Sequence, residues 1–195
     1  MALYHAFVSD ILSASGRVAD AEVRVFGHPA GWEPHAPQWT QRPENRAQVF
    51  TQNGADLGAR MYNALAITME DGFQQTILVG SDIPELSESL LSEALSALEN
   101  HDAVIGPSLD GGYYLVGFSG KHIPRSAFTN ILWSSPNVFE ITCKRLSEEN
   151  KAVHVLSPLA DIDTHEDLCG LASRLTGQNR HPARTRKVLA AMKMI

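Results

Sequence analysis

Three acidic segments hold residue types at spacings that could do chemistry. Gly80-Ser81-Asp82-Ile83-Pro84 follows the apolar run Thr76-Ile77-Leu78-Val79, so Asp82 stands where a buried strand gives way to a loop. Ligands of open α/β sheets gather beyond the carboxyl ends of strands. A carboxylate there can hold a hard divalent cation through oxygen and so reach substrate phosphates. The same aspartate, ahead of Pro84, can instead close an Asx turn that starts the path into a helix, and the pentapeptide leaves both readings open. In Asp110-Gly111-Gly112-Tyr113-Tyr114 the paired glycines let backbone amides approach a ligand. Asp110 can accept from hydroxyl groups, and Tyr113 or Tyr114 would line the pocket. Spacing alone favours a tight turn between two strands, for which Asp-Gly is the expected chemistry. Asp161-Ile162-Asp163-Thr164-His165-Glu166-Asp167-Leu168 places Thr164 and Asp167 at capping-box spacing. Acids near a helix start also gain from the macrodipole; Asp163 stays available as a second metal ligand.

The elements that must position these acids alternate along the chain. Leu3, Ala6, Phe7, Ile11 and Leu12 recur at helical spacing up to Ser13, with Gly16 as a stop signal. A β-prone run spans Glu22 to Phe26, and a Pro- and Trp-bearing loop follows from Gly27 to Pro43, long enough to suspect function. A strand at Ala47 to Thr51 precedes a helix from Asp56 to Met69 closed by Gly72. The strand at Thr76 to Gly80 has the continuous apolar character of one covered on both faces. Ser87 caps a helix to about Asn100, and strands are expected at Ala103 to Ile105 and Tyr113 to Phe118. A helix over Asn137 to Glu149, a strand at Ala152 to Leu156 and a helix opening at Asp163 or Thr164 complete the pattern. Such alternation predicts a single α/β domain, a doubly wound and mostly parallel sheet with helices on both faces, over residues 1–176. Residues 177–195, with Arg184, Arg186 and Lys187, read as a basic tail, a solvated helix or frayed end rather than a binding arm.

Composition narrows the function. At 195 residues and 44% hydrophobic the chain can bury a full core, and a net charge of −6 disfavours nucleic acid as a partner. Phosphorylated substrates would need a metal bridge. Cys143 and Cys169 have no second cysteine at ligand or redox spacing, which fits a reducing cytoplasm. No apolar run approaches a membrane span and the start has no secretory pattern. Phosphate loop, Gly-x-Gly-x-x-Gly, His-Glu-x-x-His and nucleophile elbow are all absent, and no histidine pair has zinc-ligand spacing.

Read together, Asp56 to Met61, Gly80 to Pro84, Gly106-Pro107, Asp110 to Leu115, Trp133-Ser134 and Asp161 to Leu168 resemble the radical-SAM/selenodomain-associated transferase family. Those glycosyltransferase-A-like proteins belong with the nucleotide-diphospho-sugar transferases and small-molecule nucleotidyltransferases. The resemblance implies that fold and a metal-dependent glycosyl or nucleotidyl transfer from an activated nucleotide to a small acceptor. It makes Asp82 and Asp163 ligands of Mg²⁺ or Mn²⁺ and Asp82 and Asp110 the catalytic pair. It places Asp110, Gly111, Gly112 and Tyr113 in a loop facing the acceptor, Ser81 among the substrate-binding residues, Trp133 in a covering segment and Arg60 near phosphate. The expected partners are a nucleotide or nucleotide sugar and a small-molecule acceptor, without nucleic acid or membrane; a homo-oligomer stays open.

Relatives begin with a strand and a basic Lys-x-Arg loop ahead of the first helix, whereas Met1 here falls within that helix, and His165 replaces a proline of the last motif. The expectation is a sheet with a missing member beside Thr76 to Gly80. It would be closed by direct pairing with the Glu22 to Phe26 strand, by a swapped strand, or by association. The rival function is a noncatalytic nucleotide-binding or interaction protein; an unrelated metal-dependent hydrolase is disfavoured because no base or nucleophile accompanies the acids.

Overall fold

The computed structural model describes residues 2–28, 47–120, 122–177 and 181–195. The chain order is α1 (Ala2–Ser15), β1 (Val23–Gly27), β2 (Ala47–Thr51), α2 (Leu57–Glu70), β3 (Gln75–Val79), α3 (Glu88–Ala97), β4 (Ala103–Pro107), β5 (Tyr113–Ser119), a 3₁₀ turn (Arg125–Phe128), α4 (Val138–Glu148), β6 (Val153–Val155), α5 (His165–Leu175) and α6 (Ala183–Ala191). The loop expected over 27–43 lies, beyond His28, outside the described residues. Capping chemistry sets several boundaries. Asp56 accepts from Ala59 N at the start of α2, Ser87 from Leu90 N at α3, and Thr164 and Asp167 form a reciprocal capping box at α5.

The strands form two sheets. β1 and β2 pair in parallel, and β3, β5, β4 and β6 make a second sheet in that order. β4 and β6 run parallel, while β5 runs against both its neighbours. That reversal follows from the short link between β4 and β5, because a parallel crossover needs about a dozen residues or more. On β3, Ile77 and Val79 pack towards Leu91 and Ala94 of α3, and Leu78 packs on the opposite face with Leu65 and Phe118. Helices thus cover both faces, which explains the unbroken apolar run. A fully buried leucine such as Leu86 or Leu115 contributes about 2 kcal/mol relative to exposure.

Direct pairing between the β1 segment and β3 does not occur. β1 keeps its five-residue ladder with β2, reinforced by the Phe26–Phe50 stack at 5.1 Å, and no described strand lies between β1 and β3.

The basic end is a docked helix rather than a solvated or frayed one. Leu189 of α6 is fully buried in a cluster with Phe7 of α1 and Leu171 of α5. Asp10, 2% exposed, accepts from Arg184 N at 3.0 Å and Thr185 N at 2.7 Å, so a side chain of α1 caps α6. A buried carboxylate requires such partners. Asp10→Ala therefore removes a cap and leaves buried N–H groups unsatisfied, and urea unfolding should show a loss of about 2 kcal/mol. A change within error would mean that α6 docks by apolar contact alone.

Candidate active site

Asp82 lies in the turn that follows the carboxyl end of β3. Gly80 N donates to Tyr114 O at 3.0 Å, which keeps the chain extended past β3, and Ile83 and Leu86, 1% and 0% exposed, anchor the turn that follows. The Asp82 carboxylate folds back over Gly80: a Cβ there would meet Oδ1 at 2.7 Å. The second acidic segment is stitched alongside, with Ile162 N donating to Asp82 O at 3.2 Å. It arrives there because the chain leaving β6 follows the end of β4, through Leu156 N to Ile105 O at 2.8 Å and Leu159 N to Pro107 O at 3.2 Å. Arg174 of α5 donates through Nε and Nη2 to Glu85 Oε2, at 3.0 and 2.6 Å, tying the Asp163 side to the Asp82 turn.

Asp110 belongs to the β4–β5 turn, and its Oδ1 accepts from Gly112 N at 2.8 Å. Leu109 N donates to Leu159 O at 3.1 Å, which brings this turn beside the Asp161 segment. The turn reading and the site reading of Asp110 therefore describe one loop. Gly111, at φ +93°, lies against the Pro136 carbonyl, and its own carbonyl accepts from Phe139 N at 2.9 Å. Tyr114 is a pillar: its ring covers Gly106 and its hydroxyl donates to Ser157 O at 2.9 Å. Tyr113 turns its hydroxyl inward to Met61 Sδ at 4.0 Å, and burial pushes its phenol well above the usual range. The Tyr113 ring meets Trp133 edge-on at 6.4 Å, and Trp133 in turn crosses Gly58 at the start of α2. Arg60 Nε donates to Gly54 O at 3.3 Å, and Ser81 Oγ lies 2.8 Å from Tyr4 Oη.

A cavity of ≈ 1130 Å³ joins these parts, with Arg60, Ser81, Asp82, Asp110, Gly112, Tyr113, Trp133 and Asp163 in its wall. Gly111, placed with them from the sequence, is not in the wall; it shapes the turn beneath. Asp161 is a wall residue that the sequence reading left without a role. Its signal was the two-residue spacing to Asp163, which puts both side chains on one side of an extended segment.

Four carboxylates thus face one end of the cavity. Burial, then the charges of Asp163 and Asp110, raises the Asp82 carboxyl above its ordinary range. Asp161 is pushed up to about 6, first by burial and then by Asp110, with Asp163 and Asp82 adding to it. Carboxylates raised in the folded state bind protons that the unfolded chain releases, so without metal Asp82 and Asp161 contribute most to stability below about pH 4, and their contribution falls as pH rises through about 6. Scanning calorimetry between pH 4 and 8 should show that fall, and Asp161→Asn should flatten it. Equal slopes in both proteins would remove Asp161 from the cluster's electrostatics. Among the described residues no three metal-ligating side chains converge on one point. Mg²⁺ commonly takes one or two carboxylates and completes its shell with water and phosphate oxygens, and an all-oxygen donor set suits Mg²⁺ or Mn²⁺. The carboxylates present fit such an ion. No described helix is long and apolar enough to cross a membrane.

Comparison with solved structures finds a candidate nucleotide-diphospho-sugar transferase from Desulfovibrio desulfuricans at 30% identity and TM-score 0.86, covering 97% of this chain and 83% of that one. A cytidylyltransferase from Leptospira borgpetersenii shares the fold at 14% identity and TM-score 0.61, covering 96% and 84%. The α/β architecture of nucleotide-diphospho-sugar transferase type expected from the sequence is the one observed. No curated protein matches the sequence. The family described as "Uncharacterized protein conserved in bacteria (DUF2064)" matches residues 11–135, more than half of the chain. On that match the chain belongs to the DUF2064 family.

Proposed function

We propose that this protein is a metal-dependent transferase that moves a glycosyl or nucleotidyl group from an activated nucleotide to a small acceptor, within the radical-SAM/selenodomain-associated branch and in the cytoplasm. The observation that carries this reading is the meeting of Asp82, Asp110, Asp161 and Asp163, from three separate segments, at one end of a large cavity. The names of the two structural neighbours point the same way. Asp82 and Asp163 hold Mg²⁺ or Mn²⁺, which when bound supplies positive charge to the nucleotide phosphates. Asp110, fixed by the Gly112 amide, accepts from the acceptor hydroxyl and aligns it for attack. Trp133, propped by Tyr113, covers the reacting groups from the α2 side, and Arg60 and Ser81 contact the nucleotide along the cavity wall. A noncatalytic nucleotide-binding or interaction protein is the second reading, favoured by the finding that no three metal-ligating side chains converge among the described residues. Titrating the chain with nucleoside triphosphates and nucleotide sugars, with and without Mg²⁺, separates these readings. Metal-strengthened binding with slow release of pyrophosphate or nucleoside diphosphate supports the transferase. Binding without turnover supports the second reading, and no binding in any condition contradicts both.

A further inference from the structure

One guanidinium gathers the backbone that leads to Trp133. Arg145, on α4, donates through Nη1 to Ser126 O at 2.7 Å and to Thr129 O, and through Nη2 to Asn130 O at 3.0 Å. The segment it holds continues from the 3₁₀ turn through Thr129 to Pro136 without strand or helix. Its carbonyls therefore depend on partners from outside the segment. A planar fork of donors serves three acceptors at once, which the point charge of a lysine does not.

The same segment is anchored to α2 on its other side. Phe128, 2% exposed, lies 6.1 Å from the Tyr62 ring and 6.0 Å from Phe118, and the Arg125 guanidinium sits 4.8 Å over Tyr62. Gly58 permits the approach, because a Cβ there would meet Phe128 O at 2.0 Å and Trp133 Cζ2 at 2.8 Å. Beyond these anchors the backbone turns left-handed twice, at Asn130 with φ +53° and at Ser134 with φ +65°. Asparagine visits that region readily, whereas serine is strained there, and such strain persists only where the surroundings fix it. Between the two, Trp133 N donates to Ile131 O at 3.1 Å, Ile131 is buried and Leu132 is 78% exposed. Trp133 turns back into the cavity wall with Ser134 and Ser135; Arg145 is not a wall residue and meets the site only through this backbone.

We propose that Arg145 is a positioning residue for the transfer, holding the carbonyls that precede Trp133 so that the indole stands preformed over the reacting end of the cavity. The inference rests on the transferase reading of that cavity. Tyr113, edge-on to Trp133 at 6.4 Å, supports the indole from the β5 side, so Arg145 and Tyr113 fix the loop and the ring respectively. Arg145 then governs how bound groups are aligned, while nucleotide affinity stays with the acids and their metal.

Fluorescence reads the indole directly. With Trp32→Phe and Trp39→Phe, Trp133 is the one tryptophan left of three, and acrylamide quenching measures its protection. Arg145→Met keeps the apolar stem and loses the donors. Quenching should rise about threefold or more in that variant while far-ultraviolet circular dichroism is unchanged. Arg145→Lys should restore only part of the protection, and Gly58→Ala, which pushes the loop from the α2 side, should raise quenching as well. In release of pyrophosphate or nucleoside diphosphate from nucleotide with Mg²⁺, Arg145→Met should lower kcat about 10-fold or more and leave KM within about twofold. In a Trp133→Ala background the same change should cost less than about twofold, because a residue acting through Trp133 has nothing left to position. Unchanged quenching in Arg145→Met, or an equal loss of kcat with and without Trp133, would overturn the proposal and leave the transferase reading standing. A wild type without metal-linked turnover would overturn that reading and this inference together, an outcome that neither of those results can mimic.

Discussion

Asp82→Asn should abolish the strengthening of nucleotide binding by Mg²⁺ or Mn²⁺, while the protein keeps its fold. Asparagine retains the shape that fits above Gly80 but removes the anionic oxygen that a hard cation requires. Outer-shell changes typically cost 10–100-fold in metal affinity, so loss of an inner ligand should exceed about 100-fold. The melting temperature should hold or rise in metal-free buffer, because one of four mutually repelling carboxylates has gone. Calorimetric titration of a nucleoside triphosphate, with and without metal, reads this directly. If wild type and variant show the same metal-linked gain, Asp82 is not the ligand. Asp110→Asn, by contrast, should leave metal-linked nucleotide binding in place and lower turnover, since its role is towards the acceptor.

Gly111→Ala should be the most damaging small substitution near the site. At φ +93° any side chain is strained, by about 1–2 kcal/mol. The added Cβ would also lie 2.0 Å from the Pro136 carbonyl oxygen, a backbone atom that no rotamer change can move aside. Relief requires shifting the start of α4, which breaks the hydrogen bond from Phe139 N to Gly111 O and costs roughly another 1 kcal/mol. The total is about 3 kcal/mol, or roughly 6–12 °C in melting temperature for a chain of this size. Gly72→Ala is the control: it shares a positive φ of 104° but meets nothing within 4 Å, so its loss should be confined to backbone strain. Equal effects of the two substitutions would show that packing against Pro136 is unimportant.

What the sequence made legible was local. Asp56, Ser87 and Thr164 announced their helix starts because a capping side chain acts within three residues of itself. The run from Thr76 to Val79 announced a strand covered on both faces because it holds no charged residue. That β1 would keep its ladder with β2 rather than pair with β3 was not foreseeable, since edge pairing depends on contacts remote in sequence. The capping of α6 by Asp10 crosses more than 170 residues and left no local trace. The sequence left open which of Tyr113 and Tyr114 lines the pocket, and did not reveal that Tyr114 serves as a pillar while Tyr113 supports Trp133. Capping explained Thr164 and Asp167 but not Asp161, which escaped because the macrodipole at the helix start was the only reading its position offered.

Crystals of the chain grown with Mn²⁺ and a nucleoside triphosphate, measured at the manganese absorption edge, test the central claim most directly. The account predicts one strong anomalous peak between the carboxylates of Asp82 and Asp163, with phosphate oxygens completing the shell. A nucleotide bound in the cavity with its manganese remote from both aspartates, or held by neither, would contradict it.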